Sequence, residues 1–345
     1  MHGPPRRRRA VAAAMVPVVL GVGTLTSCAN RAFQEPWFGS YVDTTAWPTF
    51  DFASVVDGRQ HIVLGFVVAD PQDPCAPSWG GYFGPEEAGQ RIDLDRRISA
   101  VRDRGGDVVV SFGGAAGDEL ATVCEDPARL AEAYRSVIDR YGLTTVDLDI
   151  EMDDLGRPGA NARRAAALAS IQEERRKPLD VWLTLPLGPS GLGDPATDVV
   201  AQVLEKGVRL SGVNLMTMNY GDGAGDRGVV ATTTDAVQAA HDRLGDVWAA
   251  AEQPLSDDLL WNRMGITPMI GQNDIRDEVL DQESASRLAE FARERGMGRM
   301  SYWSLNRDRP CGDDVQDVRH AVAGCSGIAQ EAGEFTRVLR DGFGA

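Results

Sequence analysis

Apolar residues along the chain gather in short runs, separated by stretches with helical patterning. The runs are WFGSYVD near 37–43, HIVLGFVVAD at 61–70, DVVVSFGG at 107–114 and TTVDLDIE at 144–151. They continue with DVWLTLPL at 180–187, GVNLMTMNYG at 212–221, RMGITPMIG at 263–271 and GRMSYWSLN at 298–306. Each is rich in β-branched or aromatic residues, as strands buried on both faces tend to be. Between them, DPARLAEAYRSVIDRYG at 126–142 opens on an Asp cap with Pro next and closes on Gly, the boundary signals of a helix. The stretches 159–178, 232–254 and 281–296 behave similarly, and the first stops at Pro178. Eight strands alternating with helices predict a (β/α)8 TIM barrel. The rival is a doubly wound open sheet, which carries a Gly-rich phosphate turn after its first strand; YVDTTAWP is not one. Residues 70–87, DPQDPCAPSWGGYFGPEE, read as a long loop after the second strand. No Pro-, Ser- or Gly-rich linker divides the remainder, so 28–345 is expected to be one domain.

The fourth run has an unusual polar face. Asp147, Asp149 and Glu151 occupy every second position, with Val146, Leu148 and Ile150 between them. Strand side chains alternate between faces, so the three acids point the same way, about 6.6–7 Å apart per pair. Like charges that close repel, and at least one group should resist ionising. In a barrel the strand C-termini build the site. That end would gather Tyr41 and Asp43, Ser111, Gly113 and Gly114, the three acids, Asn219 and Tyr220, Gln272 and Asn273, and Trp303.

Charge and cysteines narrow the setting. The net charge of −16 makes the chain a poor partner for nucleic acid or anionic lipid, and a neutral or cationic polymer suits it better. Residues 1–27 hold a basic start, a short apolar run and small residues, an export signal rather than a membrane span. LTSC resembles the bacterial lipobox, which would make Cys28 a lipid anchor; an ordinary signal peptide cut nearby is the alternative. The remaining cysteines are Cys75, Cys124, Cys311 and Cys325. An even number in an exported chain suggests disulfides, and four allow three pairings. Nearness in sequence favours Cys75–Cys124 and Cys311–Cys325. No CxxC pair occurs and the four histidines are scattered, so no metal site is expected.

SFGG at 111–114, DLDIE at 147–151, MTMNY at 216–220 and YWS at 302–304 fall in order at barrel positions three, four, six and eight. Together they resemble the four signatures of glycoside hydrolase family 18, over nearly the whole chain after the export segment. The resemblance implies an exported, cofactor-free and metal-free chitinase-type hydrolase acting on β-1,4-linked N-acetylglucosamine polymers, with chitin or its oligosaccharides as partner and a monomeric state. Glu151 matches the general acid. Asp149 matches the carboxylate that orients the substrate's 2-acetamido group, and Asp147 the inner carboxylate that shares a proton with it. Tyr220 matches a tyrosine that holds the acetamido oxygen, and Trp303 the aromatic floor under the sugar. Asn219, Met216, Tyr41, Gly113, Gly114 and Gln272 complete the implied substrate-binding set. No second carboxylate sits on an obvious opposing strand, and this family needs none. The acetamido oxygen attacks the anomeric carbon from within the substrate, at high effective concentration, and net retention follows.

The chain departs from the family pattern where Thr144 replaces a deeper Asp and where Asn219 stands in place of an acid. Asn keeps the hydrogen-bonding shape and loses the charge. Two other readings follow from the same residues: a chitin or glycan lectin that has lost turnover, and an endo-β-N-acetylglucosaminidase acting on N-glycans. Trp47, Trp79, Trp248 and Trp261 read equally as sugar platforms or as packing.

Overall fold

In the computed structural model, which describes residues 1–3, 32–52, 60–223, 227–313, 315 and 317–345, all eight apolar runs become strands of one sheet that closes on itself. The export segment from its fourth residue onward, and Cys28 with its expected lipid, lie outside the described residues. The strands are β1 (Trp37–Asp43), β2 (His61–Asp70), β3 (Asp73–Trp79), β4 (Asp107–Gly113), β5 (Thr145–Asp149) and β6 (Asp180–Pro186). They continue as β7 (Leu210–Thr217), β8 (Met264–Pro268), the short pair β9 (Gly271–Gln272) and β10 (Val279–Leu280), and β11 (Arg299–Tyr302). Parallel pairing runs β1–β2–β4–β5–β6–β7–β8–β11 and returns to β1, the eight-stranded barrel predicted.

The helices are α1 (Pro85–Arg91), α2 (Leu94–Asp103), α3 (Leu120–Val123), α4 (Pro127–Arg140) and α5 (Pro158–Glu174). After them come α6 (Asp194–Glu205), α7 (Gly228–Ala250), α8 (Asp257–Asn262), α9 (Gln282–Glu294) and α10 (Glu334–Phe343). The four expected helices are α4, α5, α7 and α9. Asp126 caps α4 by accepting from the backbone N–H groups of Ala128 and Arg129, and Asp281 caps α9 by accepting from Ser284. Leu130, Tyr134, Val137 and Ile138 form the apolar stripe by which α4 packs on the sheet.

The expected loop at 70–87 needs correction. Residues 73–79 form β3, antiparallel to the upper half of β2 from Val67↔Trp79 to Asp70↔Asp73, and α1 begins at Pro85. Pro74 and Pro77 hid it. Both are tolerated because β3 lies at the sheet edge, with β2 its sole strand neighbour among the described residues. Cys75–Cys124 ties this strand to the end of α3, and Cys311–Cys325 closes a loop after β11, the two pairings expected.

The main apolar core lies between the barrel wall and the helices. The barrel interior differs. It holds a small apolar cluster of Tyr41, Val63 and Val109 with Trp37, Phe66 and Trp303 packed against it, beside a buried polar column. Register sets that column up: Ser111 pairs with Asp147 across β4–β5, and Asp149 with Thr184 across β5–β6.

Candidate active site

Asp147 lies at the heart of the column, and the chain supplies it with donors from four other strands. Tyr41 OH and Ser111 Oγ donate to Oδ2 at 2.8 and 2.7 Å. Thr184 Oγ1 and Arg299 Nη1 donate to Oδ1, each at 2.7 Å. Arg299 opens β11, and neither it nor Asp147 exposes any side-chain surface. The guanidinium is held further by Tyr41 OH at 2.8 Å and Ser301 Oγ at 2.7 Å, with the Trp37 ring 4.7 Å away. Only a fully hydrogen-bonded ion pair is tolerable at such depth. Every contact to Asp147 is a donation, and among the described residues no hydrogen bond joins it to Asp149. In this structure Asp147 is instead held by a buried pair with Arg299, which sequence reasoning missed.

Asp149, one pleat nearer the mouth, is buried with Oδ1 lacking a hydrogen-bond partner. Burial pushes its pKa well above the usual carboxylate range, the Glu151 and Asp147 charges push the same way, and Arg299 opposes them. Glu151 follows the strand and is pushed up to about 7, by burial first and by Asp274 second. Asp274 is another residue not foreseen; it belongs to the loop between β9 and β10. Gly113 and Gly114 explain the SFGG run. Both have positive φ, 98° and 86°, and a Cβ on Gly113 would stand 2.1 Å from the Asp149 carbonyl oxygen. Gly114 N–H donates to that same oxygen at 2.9 Å. The glycines thus let β4 close on the acid-bearing strand, and neither lines the cleft above it.

Above the acids opens a cleft of about 220 Å³, lined by Asp149, Glu151, Tyr41, Met216, Asn219 and Trp303 among the expected residues. Met218, Met269, Met152, Thr184, Phe66 and Asp274 also line it. Trp303 stacks on Phe66 with ring centroids 5.6 Å apart, so the floor of the cleft is aromatic. A larger hollow of about 770 Å³ lies at the opposite end of the barrel, bordered by Trp37, His61, Trp182 and Phe343, and touches none of the three acids. Among the described residues no group of three or more His, Cys, Asp or Glu is arranged to hold a metal ion.

Besides Asp147, Gly113 and Gly114, which lie beneath or behind the cleft, two more expected site residues do not line it. Tyr220 is buried, and its hydroxyl accepts from Thr233 Oγ1 of α7 at 3.2 Å. The cause is Asn219, whose φ of 59° breaks the strand alternation and sends the next side chain outward. Gln272 is also buried; its amide Nε2 donates to the carbonyls of Asn273, Ile275 and Glu278 and so shapes the β9–β10 loop. Of the tryptophans left open, Trp79, Trp248 and Trp261 are core, and Trp47 is exposed.

No protein-family model matches the chain. It is 31% identical over 307 residues to the probable bifunctional chitinase/lysozyme of Escherichia coli (strain K12), covering 85% of this chain and 33% of that protein. It is 30% identical over 296 residues to endochitinase 11 of Metarhizium anisopliae, covering 81% of this chain and 54% of that protein. The chain therefore spans only a third to a half of the length of these curated relatives. Among solved structures, it superposes on catalytic-site mutants of active domain 2 of the thermostable Pyrococcus furiosus chitinase complexed with chito-oligosaccharides. The TM-score is 0.76 at 25% identity, over 91% of this chain and 97% of that one.

Proposed function

The chain belongs to glycoside hydrolase family 18, and from that premise we propose that it hydrolyses β-1,4 linkages in chitin or N-acetylglucosamine oligomers, with retention, by substrate-assisted catalysis. One observation carries the reading: Glu151 borders an aromatic-floored cleft with its carboxyl pushed up to about 7, beside a buried carboxyl, Asp149, that has an oxygen without a partner. An acid needs its proton at working pH, and a pKa near neutrality supplies it. Glu151 protonates the glycosidic oxygen as the bond to the anomeric carbon breaks. The substrate's acetamido oxygen attacks that carbon, and Asp149 Oδ1, which has no other partner, accepts the amide N–H and so holds the acetamido group in attacking position. Water, deprotonated by the Glu151 carboxylate, then opens the ring, so that two inversions give retention. Trp303 supports the sugar from below. Relatives named as chitinases, and a neighbour that holds chito-oligosaccharides, support the choice of substrate.

The Glu151→Gln variant tests the acid. On a fluorogenic chitobioside kcat is expected to fall about 10²–10⁴-fold while binding of chitin oligomers persists. An inert wild type, or equal cleavage of a glycoside lacking the N-acetyl group, refutes the reading. We extend the proposal to export and to lipid attachment at Cys28. The N-terminal pattern supports this, as do two disulfides of the kind that persist in oxidising compartments. Recovery of the full chain in the cytosolic fraction, free of lipid, refutes that extension.

A further inference from the structure

Asn219 removes an acid that the family pattern carries at the end of the sixth barrel strand, and another carboxylate stands directly against it. Asn219 Nδ2 donates to Asp274 Oδ2 at 2.8 Å, and the Asp274 backbone N–H donates back to Asn219 Oδ1 at 3.0 Å. The loop that bears Asp274 is fixed to the end of β7 at further points. Glu278 accepts from the backbone N–H groups of Tyr220 and Gly221 at 3.1 and 2.8 Å, and Asn273 Oδ1 accepts from that of Asn219 at 3.4 Å. Asp274 therefore has a held position, and it lines the same cleft as Glu151 and Asp149.

We propose that Asp274, presented by Asn219, is a positioning carboxylate for this site: it returns to the rim the negative charge that Asn219 lacks, and it keeps the acid Glu151 in its protonated form. The proposal rests on the reading of Glu151 as the acid. Placing the charge on the neighbouring loop needs an uncharged amide at 219, because an acid there would face Asp274 at hydrogen-bond distance. An amide can satisfy both the carboxylate and the N–H of one residue, as Asn219 does. The upward push that Asp274 exerts on Glu151, second only to burial, agrees with the geometry.

The other charged groups around the pair do not take over this part. Asp149, from β5, is itself pushed well above the usual carboxylate range. Glu278 is engaged with two backbone donors. Arg307, after β11, donates to the carbonyls of Ile270, Gln272 and Val322, and its attraction to Asp274 works against the effect on Glu151. Arg276 and Asp277, in the same loop, pair with each other at 3.6 Å. Arg299 and Asp147 act from beneath, through Asp149.

The test compares the full chain with its Asp274→Asn and Asn219→Asp variants, by kcat against pH on a fluorogenic chitobioside and by NMR titration of the Glu151 carboxyl. Glu151 must hold its proton, so the wild-type rate falls as pH rises through about 7. Loss of a nearby like charge lowers a carboxyl pKa by about one unit. In Asp274→Asn the basic limb and the NMR midpoint are expected to move down together by that amount. Activity at pH 8 then falls about tenfold more than activity at pH 5. In Asn219→Asp the new acid meets Asp274 at hydrogen-bond distance and the two hold one proton between them, so neither the basic limb nor the NMR midpoint is expected to move up. An unmoved NMR midpoint in Asp274→Asn, or a loss equal at every pH and accompanied by a lower melting temperature, overturns the proposal and leaves Asp274 a structural residue. The NMR midpoint is read without turnover, so an inert wild type refutes the hydrolase reading while the role of Asp274 is still decided.

Discussion

Replacing Arg299 by Met would leave Asp147 in the barrel interior without its cation. The two side chains meet at 2.7 Å, and neither reaches solvent. Breaking a buried pair by removing one partner costs about 3–5 kcal/mol, because the remaining charge is uncompensated. Asp147 would keep the hydroxyls of Tyr41, Ser111 and Thr184, which points to the lower end, about 3 kcal/mol. At about 1–2 °C per kcal/mol for a chain of this size, the melting temperature should fall by about 3–6 °C. Urea denaturation of wild type, Arg299→Met, Asp147→Asn and the double variant gives the full cycle. The double variant should be more stable than the sum of the two singles implies, by about 1–3 kcal/mol, since it buries no unmatched charge. A single-variant loss below about 1 kcal/mol, or simple additivity, would refute the argument that the pair is a matched, solvent-free unit.

Two further outcomes follow from local geometry. The disulfides span 49 and 14 residues, which in the chain-entropy account correspond to about 4 and about 3 kcal/mol. Replacing Cys75 and Cys124 by Ala should thus lower the denaturation midpoint more than replacing Cys311 and Cys325, and the reverse order would contradict it. Gly113→Ala forces a Cβ against the Asp149 carbonyl at a φ of 98°, which should cost more than about 2 kcal/mol and displace the acid strand; an unchanged midpoint and unchanged turnover would count against this packing.

The barrel was legible because its strands are apolar runs with little else they could be. The acids of β5 were legible because a period of two puts them on one face. Three features were hidden, each for its own reason. β3 carries two prolines, which an inner strand excludes and an edge strand accepts. Tyr220 was assigned to the cleft from the family resemblance, and the positive φ of Asn219 just before it could not be read from the sequence. Gln272 follows Gly271, whose φ of 68° turns the chain, so the register of β8 does not reach it. Arg299 was hidden too, because Arg263 heads another buried run in the same way and donates to the backbone carbonyls of Ser211 and Ala32, so position alone does not mark an ion pair. Asp274 left no trace, since loop acids are common and only the fold brings this one beside Asn219.

The clasp between the end of β7 and the β9–β10 loop bears on how such a protein can be altered. Asn219 and Asp274 match each other donor for acceptor, and Glu278 is cut to fit the N–H groups of Tyr220 and Gly221. Grafting either segment alone from a homologue would strand polar groups that only the native mate can answer. These two stretches therefore form one cassette, and this corner of the rim can be exchanged only if both halves travel together.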